Sequence, residues 1–160
     1  TMGRYLRKIG IPELISHTTR QIRVGETEGI SYYFVNKEEF DSIEKIEYSN
    51  YAGNYYCLSK KEVEDKLSKY DKVFAITDYH GVEQIKQIYP DITTTIFIDV
   101  TYDDMIKRMK NRGDKKEDIA KRIYNSIMTD EKENKHKCDF IVENNNLDRA
   151  CAFLSYICCK

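Results

Sequence analysis

The sequence predicts an α/β fold with a parallel sheet flanked by helices. Two apolar runs carry this prediction, Val73-Phe74-Ala75-Ile76-Thr77 and residues 93–100. Both have the length and β-branched content of strands buried on two faces. Each is followed by apolar residues at helical spacing, and alternation of buried strands with helices is the pattern of a parallel sheet. A length of 160 residues, 41% of them apolar, suits one compact domain with small appendages.

Composition narrows the function. A net charge of −1 argues against a bulk electrostatic nucleic-acid binder, so any anion site must be a local cluster. No apolar run approaches the roughly 20 residues that span a bilayer, so no membrane partner is expected. An odd count of 5 cysteines without framework spacing fits reduced thiols in a cytoplasmic protein. Cys138 with His136 lacks a third and fourth ligand for a metal. There is no internal repeat.

In chain order, Met2, Tyr5, Leu6 and Ile9 share one helical face, with Gly10 placed to end the turn. Pro12 lies in the connection, and Leu14 and Ile15 predict a short buried strand leading into Ser16. Tyr32 to Val35 reads as a strand. Asn36 with Glu39 starts a helix whose apolar side is Phe40 and Ile43. Residues 46–51 alternate as a half-buried strand does, Ala52-Gly53-Asn54 turns, and Tyr55 and Tyr56 follow. Ser59 with Glu62 reads as a capping box for a helix over residues 60–70, with Val63, Leu67 and Tyr70 on its apolar face. After the strand at 73–77, Asp78 and Gly81 lead into a helix bearing Val82, Ile85 and Ile88. Thr101 with Asp104 caps a helix over 102–112 that Gly113 stops. Ile123, Ile127 and Met128 extend a further helix, and residues 131–137 form a polar connection. Phe140-Ile141-Val142 is a last strand, and Leu147, Ala150, Leu154 and Ile157 face inward from a closing helix.

The stretch that packing alone does not explain is residues 16–35, SHTTRQIRVGETEGISYYFV. Arg20 and Arg23 stand three apart beside Thr18 and Thr19. Guanidinium forks and hydroxyls are the donors that hold a phosphate or carboxylate. Most such runs are solvated loops. Here donors, a Gly-Glu turn and paired tyrosines follow in an order that points to a site.

The pattern of Ser16, Thr18, Thr19, Arg20, Arg23, Gly25, Glu26, Gly29, Tyr32, Phe34 and Val35 resembles the phosphate-binding signature of the guanylate kinase family. The resemblance extends to the last helix. It implies a P-loop kinase-type parallel sheet with a small mixed nucleotide-binding insertion and a helical lid. The core would comprise residues 1–30 and 58–160, the lid about 106–123, and the GMP-binding insertion 31–57. It further implies phosphate transfer from ATP to GMP with Mg2+, in a monomer or homodimer. Arg20, Arg23, Tyr32 and Tyr56 would hold the GMP phosphate. Ser16 would bond the base, and Glu47 would accept two N–H bonds from guanine, which adenine cannot supply. Asp78 falls on the second Asp of the family's D-x-D, although a plain helix cap is nearly as good a reading. In the charged run 107–122, which by itself reads as a solvated helix–loop–helix, Arg108, Arg112 and Arg122 fall on the donor-phosphate arginines. These would act catalytically by neutralising the transferring group.

The chain departs from the family in three places. Leu58 stands where a hydroxyl touches guanine, and Ile76 where the first Asp of D-x-D belongs. The Gly-rich loop ending G-K-[ST] is not among these residues. The expectation is that it lies upstream of Thr1, so that the 160 residues alone bind GMP with little or no turnover. The alternative is a guanylate-kinase-like binding module without catalysis.

Overall fold

A computed structural model describes residues 2–51 and 53–159, with the backbone alone at Tyr51. Thr1, Lys160 and Ala52, which opens the expected turn at 52–54, lie outside the described residues. The chain divides into two units, Thr1–Thr93 and Thr94–Lys160.

The first unit is built on the polar run. His17–Thr18 forms β1 and Tyr33–Phe34 forms β2, parallel to it, with Thr18 opposite Phe34. Next comes helix α2, Lys37–Ser42, whose capping box between Asn36 and Glu39 is complete. Its Phe40 is 1% exposed. β3, Lys45–Tyr51, and β4, Asn54–Ser59, pair antiparallel across a turn in which Gly53 takes φ +76, a conformation open chiefly to glycine. β4 also pairs antiparallel with β1, which gives a mixed sheet in the order β2-β1-β4-β3. The sheet therefore draws β1 in from outside residues 31–57.

Helices surround this sheet in the same unit. α1 is Met2–Lys8, with Leu6 buried and Gly10 at φ +93 behind it. α3 is Lys60–Leu67, capped by the Ser59 hydroxyl, which accepts from the Glu62 backbone N–H. The expected capping box is only half made. The Glu62 carboxylate accepts the Ile15 N–H at 2.9 Å instead. α3 also ends before residue 70, and Tyr70 is exposed. α4, Tyr79–Ile88, is capped by Asp78, whose carboxylate accepts from the Gly81 N–H at 2.9 Å. Ile46, Leu58 and Val63 form a buried cluster against which Leu14, Ile85 and Tyr89 pack. Leu58 thus earns its place as core.

The expected strands at 14–15 and 73–77 are corrected. Their pairing shrinks to one parallel bridge between Glu13 and Phe74. Phe74 N–H donates to Pro12 O at 3.0 Å, and Leu14 N–H to Phe74 O at 2.8 Å. Pro12 has no N–H to carry the ladder one step back. Further along, Ile76 is 69% exposed rather than buried.

In the second unit, β5, Ile96–Asp99, pairs parallel with β6, Phe140–Glu143, Ile96 standing opposite Phe140. The strand is shorter than the apolar run because the Asp139 carboxylate takes the Thr95 N–H and hydroxyl, at 2.8 and 2.7 Å. The crossover carries α5, Tyr102–Arg112, α6, Lys116–Met128, and a 3₁₀ segment, Glu131–Lys137. Thr101 caps α5 through the Asp104 N–H, and Gly113 closes it at φ +88, as the sequence predicts. α7, Leu147–Cys158, buries Ala150, Cys151 and Leu154. Leu147, expected inward, is exposed in its first turn. No disulfide joins any of the 5 cysteines. No described helix is long and apolar enough to cross a membrane.

Candidate functional site

Strand alternation sorts the mixed sheet into two faces. Side chains directly opposite one another in a ladder share a face, and neighbours along a strand do not. Thr18 stands opposite both Phe34 and Tyr56, Ser49 opposite Tyr56, and Glu47 opposite Leu58. One face therefore carries Thr18, Phe34, Glu47, Ser49, Tyr56 and Leu58. Continuing the alternation past the strand ends adds Ser16, Arg20 and Tyr32. The other face carries His17, Tyr33, Tyr48, Tyr55 and Cys57. It is covered by Phe40, whose ring lies 5.7 Å from Tyr55 and 6.3 Å from Tyr48.

Arg20 anchors one end of the first face. Its side chain is only 10% exposed. The guanidinium carbon lies 5.4 Å from the Tyr32 ring centre and 5.8 Å from that of Phe34, so two aromatic faces hold it. One arm donates to Glu26 Oε1 at 2.7 Å and the other to Gln21 O at 2.8 Å. Glu26 also accepts the Arg23 N–H at 2.8 Å, which folds the loop back on itself. The Glu26 bond, aided by one to the Tyr56 hydroxyl, raises the Arg20 pKa against the effect of burial. The same bond lowers that of Glu26. Tyr32 and Tyr56 meet edge to face at 5.9 Å. Burial, then the neighbouring Tyr56, pushes the Tyr32 hydroxyl above its ordinary value, so it stays a neutral donor. The arrangement is one fixed cation with two phenols beside it, an anion receptor by chemistry. The Arg23 side chain is exposed, and its charge also helps lower the Glu26 pKa.

Glu47 occupies the other end, about 7 Å along the strand direction from the level of Tyr56. It is 5% exposed. Thr77 donates its hydroxyl to Glu47 Oε1 at 3.4 Å. Burial and then the charge of Asp78 raise the Glu47 pKa, while Thr77 and the Leu58 backbone pull it down. Gly81 makes the close approach possible. A Cβ there would lie 2.9 Å from Glu47 Cγ and would run into the Thr77 hydroxyl. A buried carboxylate with one hydroxyl partner can take two further N–H donors. Asp78 serves as the α4 cap and as a negative neighbour to Glu47. The Ser16 carbonyl accepts the Tyr33 N–H at 2.9 Å.

Arg108, Arg112 and Arg122 of the second unit have separate partners. Arg108 donates to the Asn144 carbonyl, and Arg112 pairs with Asp114. Arg122 grips Glu131 with two bonds of 2.8 Å. The Arg122 bond holds the Glu131 carboxyl below its usual range, as Arg112 does for Asp114. Arg108 and Arg112 lie one turn apart, on one side of α5.

Sequence reasoning missed three contributors: Glu26 as the carboxylate that orients Arg20, Thr77 as the hydroxyl on Glu47, and Gly81 as the space for both. The Glu26 signal was present in its spacing from Arg20. Thr77 and Gly81 meet Glu47 across the fold, which no local spacing reveals.

The guanylate kinase family model matches residues 5–159. The guanylate kinase of Fusobacterium nucleatum subsp. nucleatum is 36% identical over 149 residues, covering 90% of this chain and 80% of that protein. The guanylate kinase of Pasteurella multocida is 35% identical over 144 residues, covering 86% and 68%. Among solved structures, the crystal structure of guanylate kinase from Anaplasma phagocytophilum aligns with a TM-score of 0.72 at 24% identity, over 98% of this chain and 80% of that one. At that identity, the likeness speaks for the fold.

Proposed function

This chain belongs to the guanylate kinase family, and from that membership we propose how its residues serve the reaction. The function is that of a guanylate kinase, in which the terminal phosphate of ATP passes to GMP to give ADP and GDP. Arg20, with the Tyr32 and Tyr56 hydroxyls, takes the GMP phosphate. A guanidinium has five N–H donors, and Glu26, Gln21 and the Tyr56 hydroxyl engage it already, so the phosphate joins these partners. Arg23, on the exposed loop, swings onto the same phosphate. Glu47, ionised, accepts two N–H bonds from guanine, and Ser16 bonds the base. Asp78 fixes the α4 start beside Glu47. Residues 31–57 close over the nucleotide.

Arg108, Arg112 and Arg122 serve the donor side by exchanging their carboxylate and carbonyl partners for phosphate oxygens. No side chain needs to be a strong base, because catalysis is in-line positioning with charge neutralisation. Mg2+ bound with ATP would supply further neutralisation of the phosphate charge. The described residues hold no cluster of three or more His, Cys, Asp or Glu that could cage it. A cytoplasmic monomer or homodimer completes the proposal.

The observation that carries this reading is the common sheet face: Arg20, Tyr32 and Tyr56 at one end and Glu47 at the other. Thermal shifts measured with GMP, dGMP, AMP and UMP test it. GMP should stabilise the chain far more than AMP or UMP, and equal shifts would sink the guanine assignment.

A further inference from the structure

We propose that Glu62 is a positioning residue of the GMP pocket, locking β2 to the start of β1 and so fixing where Tyr32 and Arg20 stand. The proposal rests on the phosphate-site reading above. It begins from the weakness of the β1–β2 pairing. Two residues on each side meet, joined by Tyr33 N–H to Ser16 O at 2.9 Å and Val35 N–H to Thr18 O at 3.0 Å. So short a pair holds poorly unaided. Yet β2 supplies the Phe34 ring, and Tyr32 directly before it supplies the other ring that holds Arg20, so a small slip of β2 would displace the whole anion receptor.

Glu62 is 7% exposed and reaches this junction from the first turn of α3. One carboxylate oxygen accepts the Ile15 N–H at 2.9 Å, directly before Ser16. The other accepts the Tyr33 hydroxyl at 3.2 Å, directly after Tyr32. Tyr33 is thereby tied at both ends: its N–H to Ser16 and its hydroxyl, through Glu62, to Ile15. One turn further along α3, Lys66 pairs with Glu62 at 3.3 Å and donates to the Glu13 carbonyl at 2.8 Å. Two side chains of α3 thus hold residues 13–15 and, through them, the register of β2. A carboxylate that only capped its helix would have turned back to Ser59.

The test separates positioning from general folding by comparing GMP with guanosine, which lacks the phosphate. Glu62→Ala, Glu62→Gln and Tyr33→Phe are titrated calorimetrically with both. GMP affinity should fall about tenfold in Glu62→Ala, the scale of a lost bond to a charged group, and less in Tyr33→Phe, with guanosine affinity unmoved. Glu62→Gln should recover most of the GMP affinity, since its amide can accept from one partner and donate to the Tyr33 hydroxyl. Equal losses for GMP and guanosine, or undiminished GMP affinity in both Glu62→Ala and Tyr33→Phe, would overturn the proposal. If Glu62→Ala does not fold, Tyr33→Phe alone decides. A parent chain that binds guanosine as tightly as GMP would overturn the phosphate site itself, and this proposal with it.

Discussion

Arg20 and the arginines of the second unit carry the same charge in opposite settings. The Arg20 side chain is 10% exposed, between two rings and beside two phenols. That of Arg112 is 69% exposed and pairs with a residue two places on. That of Arg122 is 44% exposed and grips Glu131. Only Arg20 is built into a receptor before any ligand arrives. Under the proposed function, Arg108, Arg112 and Arg122 would trade these partners for phosphate oxygens. Exposed pairs of that kind contribute little to stability, so they can be traded without loss of the fold.

The contrast can be broken by substitution. Arg20→Ala should have the largest effect, lowering GMP affinity about 100-fold, or about 2.7 kcal/mol. Calorimetry would show it, and a loss below threefold would remove the distinction. Glu47→Gln should cost about 30-fold in GMP affinity, since a bond to a charged group is lost, and should narrow the preference over AMP.

The pH dependence sharpens the same point. Burial and Asp78 hold the Glu47 pKa above the ordinary carboxylate range. Protonation therefore favours the unliganded fold, and this contribution is lost as pH rises through the raised pKa. GMP affinity should run the other way and rise over the same interval, because only the ionised carboxylate accepts both base N–H groups. Glu47→Gln should flatten both profiles in paired melting and binding series.

Gly81→Ala comes next. Its new Cβ meets Glu47 Cγ at 2.9 Å, so overpacking should cost about 1–3 kcal/mol in a denaturant melt. GMP affinity should fall as Glu47 is pushed aside. Smallest is Arg122→Ala, which should change stability by about 0.5 kcal/mol and leave GMP affinity untouched. A loss of GMP affinity equal to that of Arg20→Ala would erase the comparison.

What the sequence revealed follows the range of the interactions. Caps are local, so Asn36 with Glu39 and Thr101 with Gly113 were readable from spacing alone. The face shared by Arg20, Tyr32, Glu47 and Tyr56 was reachable through the family pattern, because strand periodicity preserves it. The apolar run at 73–77 misled because apolarity calls for burial but names no partner, and Pro12 limits the one pairing it finds. Glu62 misled in the opposite way. Its spacing from Ser59 fits a capping box, but its real partners, Ile15 and Tyr33, lie far off in the chain. The partners of the second unit's arginines were equally illegible, since surface charges pair by proximity and leave no periodic trace.

Amide and arginine side-chain NMR shifts during a GMP titration test the central claim most directly. The largest changes should fall on the Arg20 guanidinium and on the backbone of residues 16–20, 32–34, 47–49 and 56–58. Changes centred instead on Tyr55 and α2, with Arg20 and Glu47 silent, would place the nucleotide on the opposite face and contradict the account.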